Sequence, residues 1–272
     1  MLSVPPSRST VPTLPPLLFI IMNVHPLQLR AAPVFVMLIP APESRMYVPG
    51  SRLIVPLMFI SVLKHFTPVE LLQAMKSLVA WGVRSVVVGN IGGGTVERRY
   101  SDAAPKIRDG SIKTAVELFN ELSAIVPSDD EFKTSFTMAR VTRAKLARYY
   151  LGALERAAAD TDEPELVPNA DAEKVNLEHI LPKNATAAEW PAFTREQRED
   201  LLHRLGNMAL LAKGPNDRIG NRPFLAKKPV LIASSLLLTK DAGAQPEWTP
   251  IAIHERQERL AHSAVSVWKR SP

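Results

Sequence analysis

The sequence predicts the α+β class: a mostly helical protein with two short strands in its last third. Three observations carry that prediction. Residues 68–158 repeat apolar side chains at helical spacing behind recognisable N-caps. The runs "VNLEHI" (175–180) and "NMALLA" (207–212) are short, apolar-rich and bounded by turn residues, as strands are. The chain closes on "TPIAIHERQERLAHSAVSVW", an amphipathic run behind a Thr-Pro start.

Taken in order, residues 1–67 read as an irregular, proline-rich apolar segment. Residues 1–68 hold 12 of the 24 prolines, and Glu43 is the first carboxylate. Two readings stay open for this segment: short apolar helices broken by prolines, or a start that is not the native one. Its stretch "LLFIIMNV" is short and flanked by Pro12, Pro15, Pro16 and Pro26. A spanning helix needs about 20 apolar residues in a row, and no clean cleavage site follows. No stable membrane association is expected, and a cytoplasmic location is.

Residues 68–160 form a helical region. Thr67 and Pro68 are a cap and a first-turn proline, followed by Leu71, Leu72, Met75, Leu78 and Val79 at helical spacing. The cluster "GNIGGG" lacks the Gly-Lys-Ser/Thr ending of a phosphate loop and the Gly-x-Gly-x-x-Gly spacing of dinucleotide folds, so it reads as a flexible turn. Ser128 and Glu131 make a capping box, and Tyr150, Leu151 and Leu154 continue an apolar helix face. Residues 161–174 are an acidic linker. Residues 175–272 then form the last domain. Thr194 and Gln197 cap a helix expected to run to about Leu205. "PNDRIGNRPFLAKKPVLIASSLL" begins as a turn and becomes a helix kinked at Pro229. Thr249 and Pro250 start the last helix.

The chain has no cysteine, which excludes disulfides, cysteine nucleophiles and Cys-based zinc sites. The net charge of +6 is uneven. Residues 1–173 are nearly neutral, while residues 174–272 carry 15 Lys/Arg against 10 Asp/Glu. The basic excess sits where the chemistry-bearing residues are, and it favours a polyanion such as nucleic acid.

Those residues are Glu178-His179 on the first strand, Asn207 on the second, and Asn216 at the turn into the following helix. Singly, each has an ordinary explanation as core, strand or turn chemistry. In this order they resemble the HNH, or His-Me finger, nuclease site, in which two strands and a helix form a ββα element around one divalent metal. The nine-residue step from Asn207 to Asn216 is similar to that in the HNH domain of RNA-guided nucleases.

The resemblance extends along the chain. "LEHILPKN", Trp190, "LLHRLGNMALLAKGPNDRIGNRPFLAKK" and a terminal helix ending in Trp268 are similar to the C-terminal nuclease domain of the GmrSD-type, modification-dependent restriction endonucleases. "RYYLGALE" and the helical segment from about residue 80 are similar to the region that precedes it. The resemblance implies Glu178 and Asn216 as metal ligands, with Asn221 as runner-up. It implies His179 as the catalytic base and Asn207 as its brace, with Mg²⁺ (or Mn²⁺) as cofactor and DNA as substrate in restriction or anti-phage defence. Family members begin with a ParB-like nucleotide-hydrolysing module bearing a Gln- and Arg-containing motif. No such motif occurs here, so a separate ParB-like nucleotidase subunit is an implied partner.

The chemistry suits the residue types. Histidine is largely neutral near pH 7 and can take a proton from an attacking water. Carboxylate and amide oxygens are the hard donors that Mg²⁺ prefers. Asn207 is expected to hydrogen-bond across the hairpin and fix His179. Arg218, Arg222, Lys227 and Lys228 follow the site and are placed to hold phosphates. His203, His254 and His262 lie on expected helices without ligand spacing and are assigned no chemistry. The alternative is a catalytically silent nucleic-acid-binding or assembly fragment of such a protein.

Overall fold

The computed structural model describes residues 51–89, 92–159 and 174–272. Among the described residues, six helices precede the first strand: α1 (Ser51–His65), α2 (Pro68–Val88), α3 (Gly93–Arg108), α4 (Ala115–Leu122), α5 (Asp129–Met138) and α6 (Ala144–Ala159). The caps read from the sequence are present. The Thr67 side chain accepts from the Glu70 amide, Pro68 opens α2, and Ser128 and Glu131 form a reciprocal box at α5. A further box, Thr114 with Glu117, starts α4.

One expectation is corrected here, for the glycine cluster. Helix α1 agrees with one of the two readings left open for residues 1–67, a short apolar helix: it packs on α3, and Met58 and Val62 are fully buried. Burial against a neighbouring helix outweighs the local proline content. The glycine cluster is not all turn, because α3 begins at Gly93, while residues 90 and 91 lie outside the described residues. The acidic linker also lies outside them, except for Lys174.

Among the described residues, α2 is the one helix long and apolar enough to cross a bilayer, but its role is internal. Leu78, Trp81 and Val83 are buried. Its Arg84 guanidinium is buried too, bonded to the Trp268 and Pro127 carbonyls and 2.5 Å from Asp129 at the start of α5. That carboxylate sits where a helix N-terminus favours negative charge. Trp268 then gathers Phe132, Phe136, Tyr149 and Tyr150 into an aromatic cluster joining α5, α6 and the C-terminus.

The remaining elements are β1 (Val175–His179), α7 (Arg195–Leu201), β2 (Met208–Ala212), α8 (Lys213–Ile219), α9 (Phe224–Ile232), α10 (Leu237–Ala244) and α11 (Pro250–Val267). β1 and β2 form one antiparallel pair, with Glu178 opposite Ala209 and His179 opposite Met208. Helix α7 stops at Leu201, short of the expected Leu205. The backbone beyond it is claimed elsewhere: the Val141 amide donates to the His203 carbonyl, and Arg204 bridges to Arg140. Asn207 therefore sits in a tight 3-10 turn, Leu205–Asn207, rather than on the strand. Helix α8 follows β2 without a loop, so Asn216 lies within a helix. Gly220 (φ 44°) separates α8 from α9, and Pro229 is accommodated inside α9. Glu155 of α6 accepts from the Leu237 and Leu238 amides and so caps α10 across the two halves of the fold.

Candidate active site

Adjacent residues of a strand face opposite sides, and β1 uses both. Glu178 lies opposite Ala209, and Asn176 opposite Leu211. Ala209 and Leu211 belong to a core cluster with Ile180, Leu181, Ile219, Phe224 and Trp248. Glu178 thus points toward α8 and α9, where it is 7% exposed. The Lys227 ammonium meets it there, 2.5 Å from Oε1, and also donates to the His179 carbonyl at 3.0 Å. Burial pushes the Glu178 carboxyl up and the Lys227 ammonium down, while their contact favours the ion pair.

This corrects the expectation for Lys227. It is fully buried and points inward, so it is not a phosphate contact. The cause is local: Phe224 anchors α9 by stacking on Trp248, with ring centroids 5.4 Å apart, and Lys227 lies one turn later on the same face. Lys228 is half-buried and donates to the Gln245 carbonyl. Arg218, Arg222 and Asn221 are exposed.

His179 faces the other side of the strand. Its Nε2 is buried and has no hydrogen-bond partner. Its ring meets that of His203 edge to face, with centroids 6.0 Å apart. Desolvation, followed by the fields of His203 and Lys227, lowers its pKa to about 4. The imidazole is therefore neutral at pH 7. His203 lies in the turn after α7 rather than on a helix. Its Nδ1 is also buried without a partner, and desolvation lowers its pKa.

Asn207 is fully buried, and its amide is saturated. The oxygen accepts from the Leu181 amide (2.8 Å) and the Trp248 indole (3.1 Å), and the nitrogen donates to the Leu181 and Leu202 carbonyls (3.0 and 3.2 Å). An asparagine side chain has two donors and two acceptor positions. None is left for the imidazole. Asn207 crosses the hairpin as expected, but it clamps the backbone two residues beyond His179 and not the ring.

The turn that carries Asn207 is itself held by α11. Arg256, buried, donates to the carbonyls of Leu205, Gly206 and Met208. Gln257 accepts from the Gly206 amide and donates to the Phe136 carbonyl. A Cβ on Gly206 would overlap the Ile253 carbonyl oxygen, so only glycine lets α11 approach this closely. Trp248, Arg256 and Gln257 were not singled out from the sequence. A signal existed for two of them, because Arg256 and Gln257 fall at stripe positions between Ile253 and Leu260, where a polar side chain must be buried.

Asn216 Oδ1 is buried without a hydrogen-bond partner. Asn216 lies one turn before Ile219, which enters the same core cluster as the cross-strand partner of Glu178. Helix α8 packs against both strands, which puts Asn216 on an element beside the strand that carries Glu178. Among the described residues, no three or more His, Asp or Glu side chains gather around a metal position. Two oxygen donors fit a cation that keeps most of its own waters, such as Mg²⁺, and do not fit a closed zinc site. Lys227 competes with any cation for the Glu178 carboxylate.

The family comparison places this arrangement, a hairpin with a helix directly behind it and a neutral buried imidazole on the strand, in a restriction endonuclease family. The model of the GmrSD restriction endonucleases, C-terminal domain, matches residues 126–263, from just before α5 to within α11. That is half of the chain, and the chain belongs to this family. No curated protein matches it.

Proposed function

We propose that this protein is a metal-dependent endonuclease of the HNH type that hydrolyses DNA phosphodiester bonds in restriction, in the cytoplasm. The observation that supports this reading above all is the neutral His179 imidazole with its buried, unpartnered Nε2. Such a nitrogen is an acceptor for a proton from water, and general-base help of this kind contributes roughly 10²–10⁴-fold. Glu178 and the unpartnered Asn216 Oδ1 would hold Mg²⁺ or Mn²⁺. Such an ion, when bound, neutralises charge on the scissile phosphate and the leaving oxygen. Asn207 keeps the base-bearing strand end rigid through Leu181. The exposed Arg218 and Arg222 are placed to hold flanking phosphates. A ParB-like nucleotidase would act as a separate subunit.

The test is plasmid nicking. His179→Ala should abolish it while the circular dichroism spectrum persists, and EDTA should stop it until Mg²⁺ is restored. Equal cutting by parent and variant, or full cutting in excess chelator, defeats the proposal. One observation favours a second reading, a silent nucleic-acid-binding domain: Lys227 already neutralises Glu178. Under that reading the protein shifts DNA on a gel and fails to cut it whatever divalent metal is added.

A further inference from the structure

We infer that His203 is a second catalytic histidine, which holds the attacking water against His179. This inference rests on the nuclease reading above. The two imidazoles meet edge to face at 6.0 Å between centroids, and each has one buried nitrogen without a partner: Nε2 of His179 and Nδ1 of His203. Buried polar atoms are rarely left unsatisfied. An oxygen hydrogen-bonded to an imidazole nitrogen lies roughly 4 Å from the ring centroid. Two such reaches overlap at a ring separation of 6.0 Å, so the spacing suits one shared oxygen once both nitrogens turn toward it.

The two nitrogens need opposite characters, and water supplies both. His179 Nε2 accepts a proton from the water, and His203 Nδ1–H donates to the water's oxygen. One lone pair of that oxygen stays free to attack phosphorus. In the step, the water oxygen forms a bond to phosphorus and its proton passes to His179 Nε2. The bond from phosphorus to the sugar oxygen breaks, and that oxygen takes a proton from solvent. His203 stays neutral throughout.

The placement of His203 serves this role. Its backbone carbonyl is fixed by the Val141 amide at 2.8 Å, so the ring sits on a pinned turn. Arg140 and Lys183, both exposed, lie near enough for their charges to act on the ring. Their positive field attracts the phosphate to this face of β1 and disfavours an imidazolium at His203. Asp200, 3.0 Å from Arg140, offsets part of that charge, and Lys183 adds to what remains of the field.

The experiment compares His203→Asn, His203→Gln and His203→Phe in the full chain, on a duplex oligonucleotide in Mg²⁺. An asparagine amide nitrogen falls near the position of imidazole Nδ1, whereas a glutamine amide nitrogen falls near Nε2. His203→Asn should keep kcat within about threefold of the parent. His203→Gln and His203→Phe should lose about ten- to a hundredfold in kcat, the range expected when a positioned group at the reacting centre is lost. KM should hold steady. Thermal melts check the fold. If His203→Phe unfolds, the two amide variants carry the comparison, since both are polar and of similar size. Equal kcat for Asn and Gln, or full activity in Phe, overturns this inference. If His179→Ala is also fully active, the nuclease reading falls with it. If His179→Ala is dead, only the role of His203 falls.

Discussion

The ammonium of Lys227 lies 2.5 Å from Oε1 of Glu178 and 3.0 Å from the carbonyl oxygen of His179, so one buried cation ties the acid to the backbone of the base that follows it. Removing one partner of such a pair leaves an uncompensated charge in the interior, which is worth about 3–5 kcal/mol of stability. Lys227→Met should therefore lower the urea midpoint strongly. Adding Glu178→Gln should recover much of the loss, because the remaining group is then neutral. If the double variant is as unstable as Lys227→Met, the two side chains are not coupled.

Gly206 makes a second prediction. Any Cβ there would overlap the Ile253 carbonyl and sit 3.1 Å from Gln257 Cβ and the Gln257 amide nitrogen. Backbone cannot yield as a flexible side chain can, so Gly206→Ala should destabilise by about 2 kcal/mol or more. A urea titration with unchanged slope measures it. A loss below about 0.5 kcal/mol would mean that α11 does not approach the turn this closely.

Asn207→Ala removes four hydrogen bonds and strands the Leu181 amide and carbonyl beside the buried Trp248 indole. Unsatisfied buried groups are worth about 1–3 kcal/mol each. The loss should be large, and hydrogen exchange at the Leu181 amide should lose its protection. Asn207→Asp keeps the acceptor but loses both donors, and should fail similarly. Continued protection at Leu181 in Asn207→Ala would show that the clamp is not what orders the end of β1.

These tests also mark how far the sequence could be read. The strands and the Thr67, Ser128, Thr194 and Thr249 caps were legible because each is local chemistry. The end of α7 was not, because it is set by backbone bonds from Arg140 and Val141, some sixty residues earlier. Lys227 was read as a phosphate contact because its partner lies 49 positions away on another element. Asn207 crosses the hairpin, but to the Leu181 backbone and not to His179. Its saturation became visible only when Trp248, 41 positions downstream, delivered an indole to it. His203 was read as a helix residue without ligand spacing and assigned no chemistry, because the ring it meets lies 24 positions earlier on another element.

The buried imidazole also ties stability to pH. His179 has a pKa near 4 in the folded protein, against 6.5 when free. Between these values the unfolded chain binds a proton that the native state refuses. Stability therefore rises with pH through this window: the contribution is fully present above 6.5 and is lost as pH falls toward 4. At 1.36 kcal/mol per unit, the difference amounts to roughly 3 kcal/mol at most. His203 shifts in the same direction and adds to it. His179→Phe cannot titrate, so its melting temperature should vary less with pH than the parent's between pH 4 and 6.5, while carboxylate titrations common to both cancel. Parallel curves would mean that the fold does not depress the His179 pKa, and a ring with an ordinary pKa would take up protons near 6.5 and lose its standing as a neutral base in acid solution.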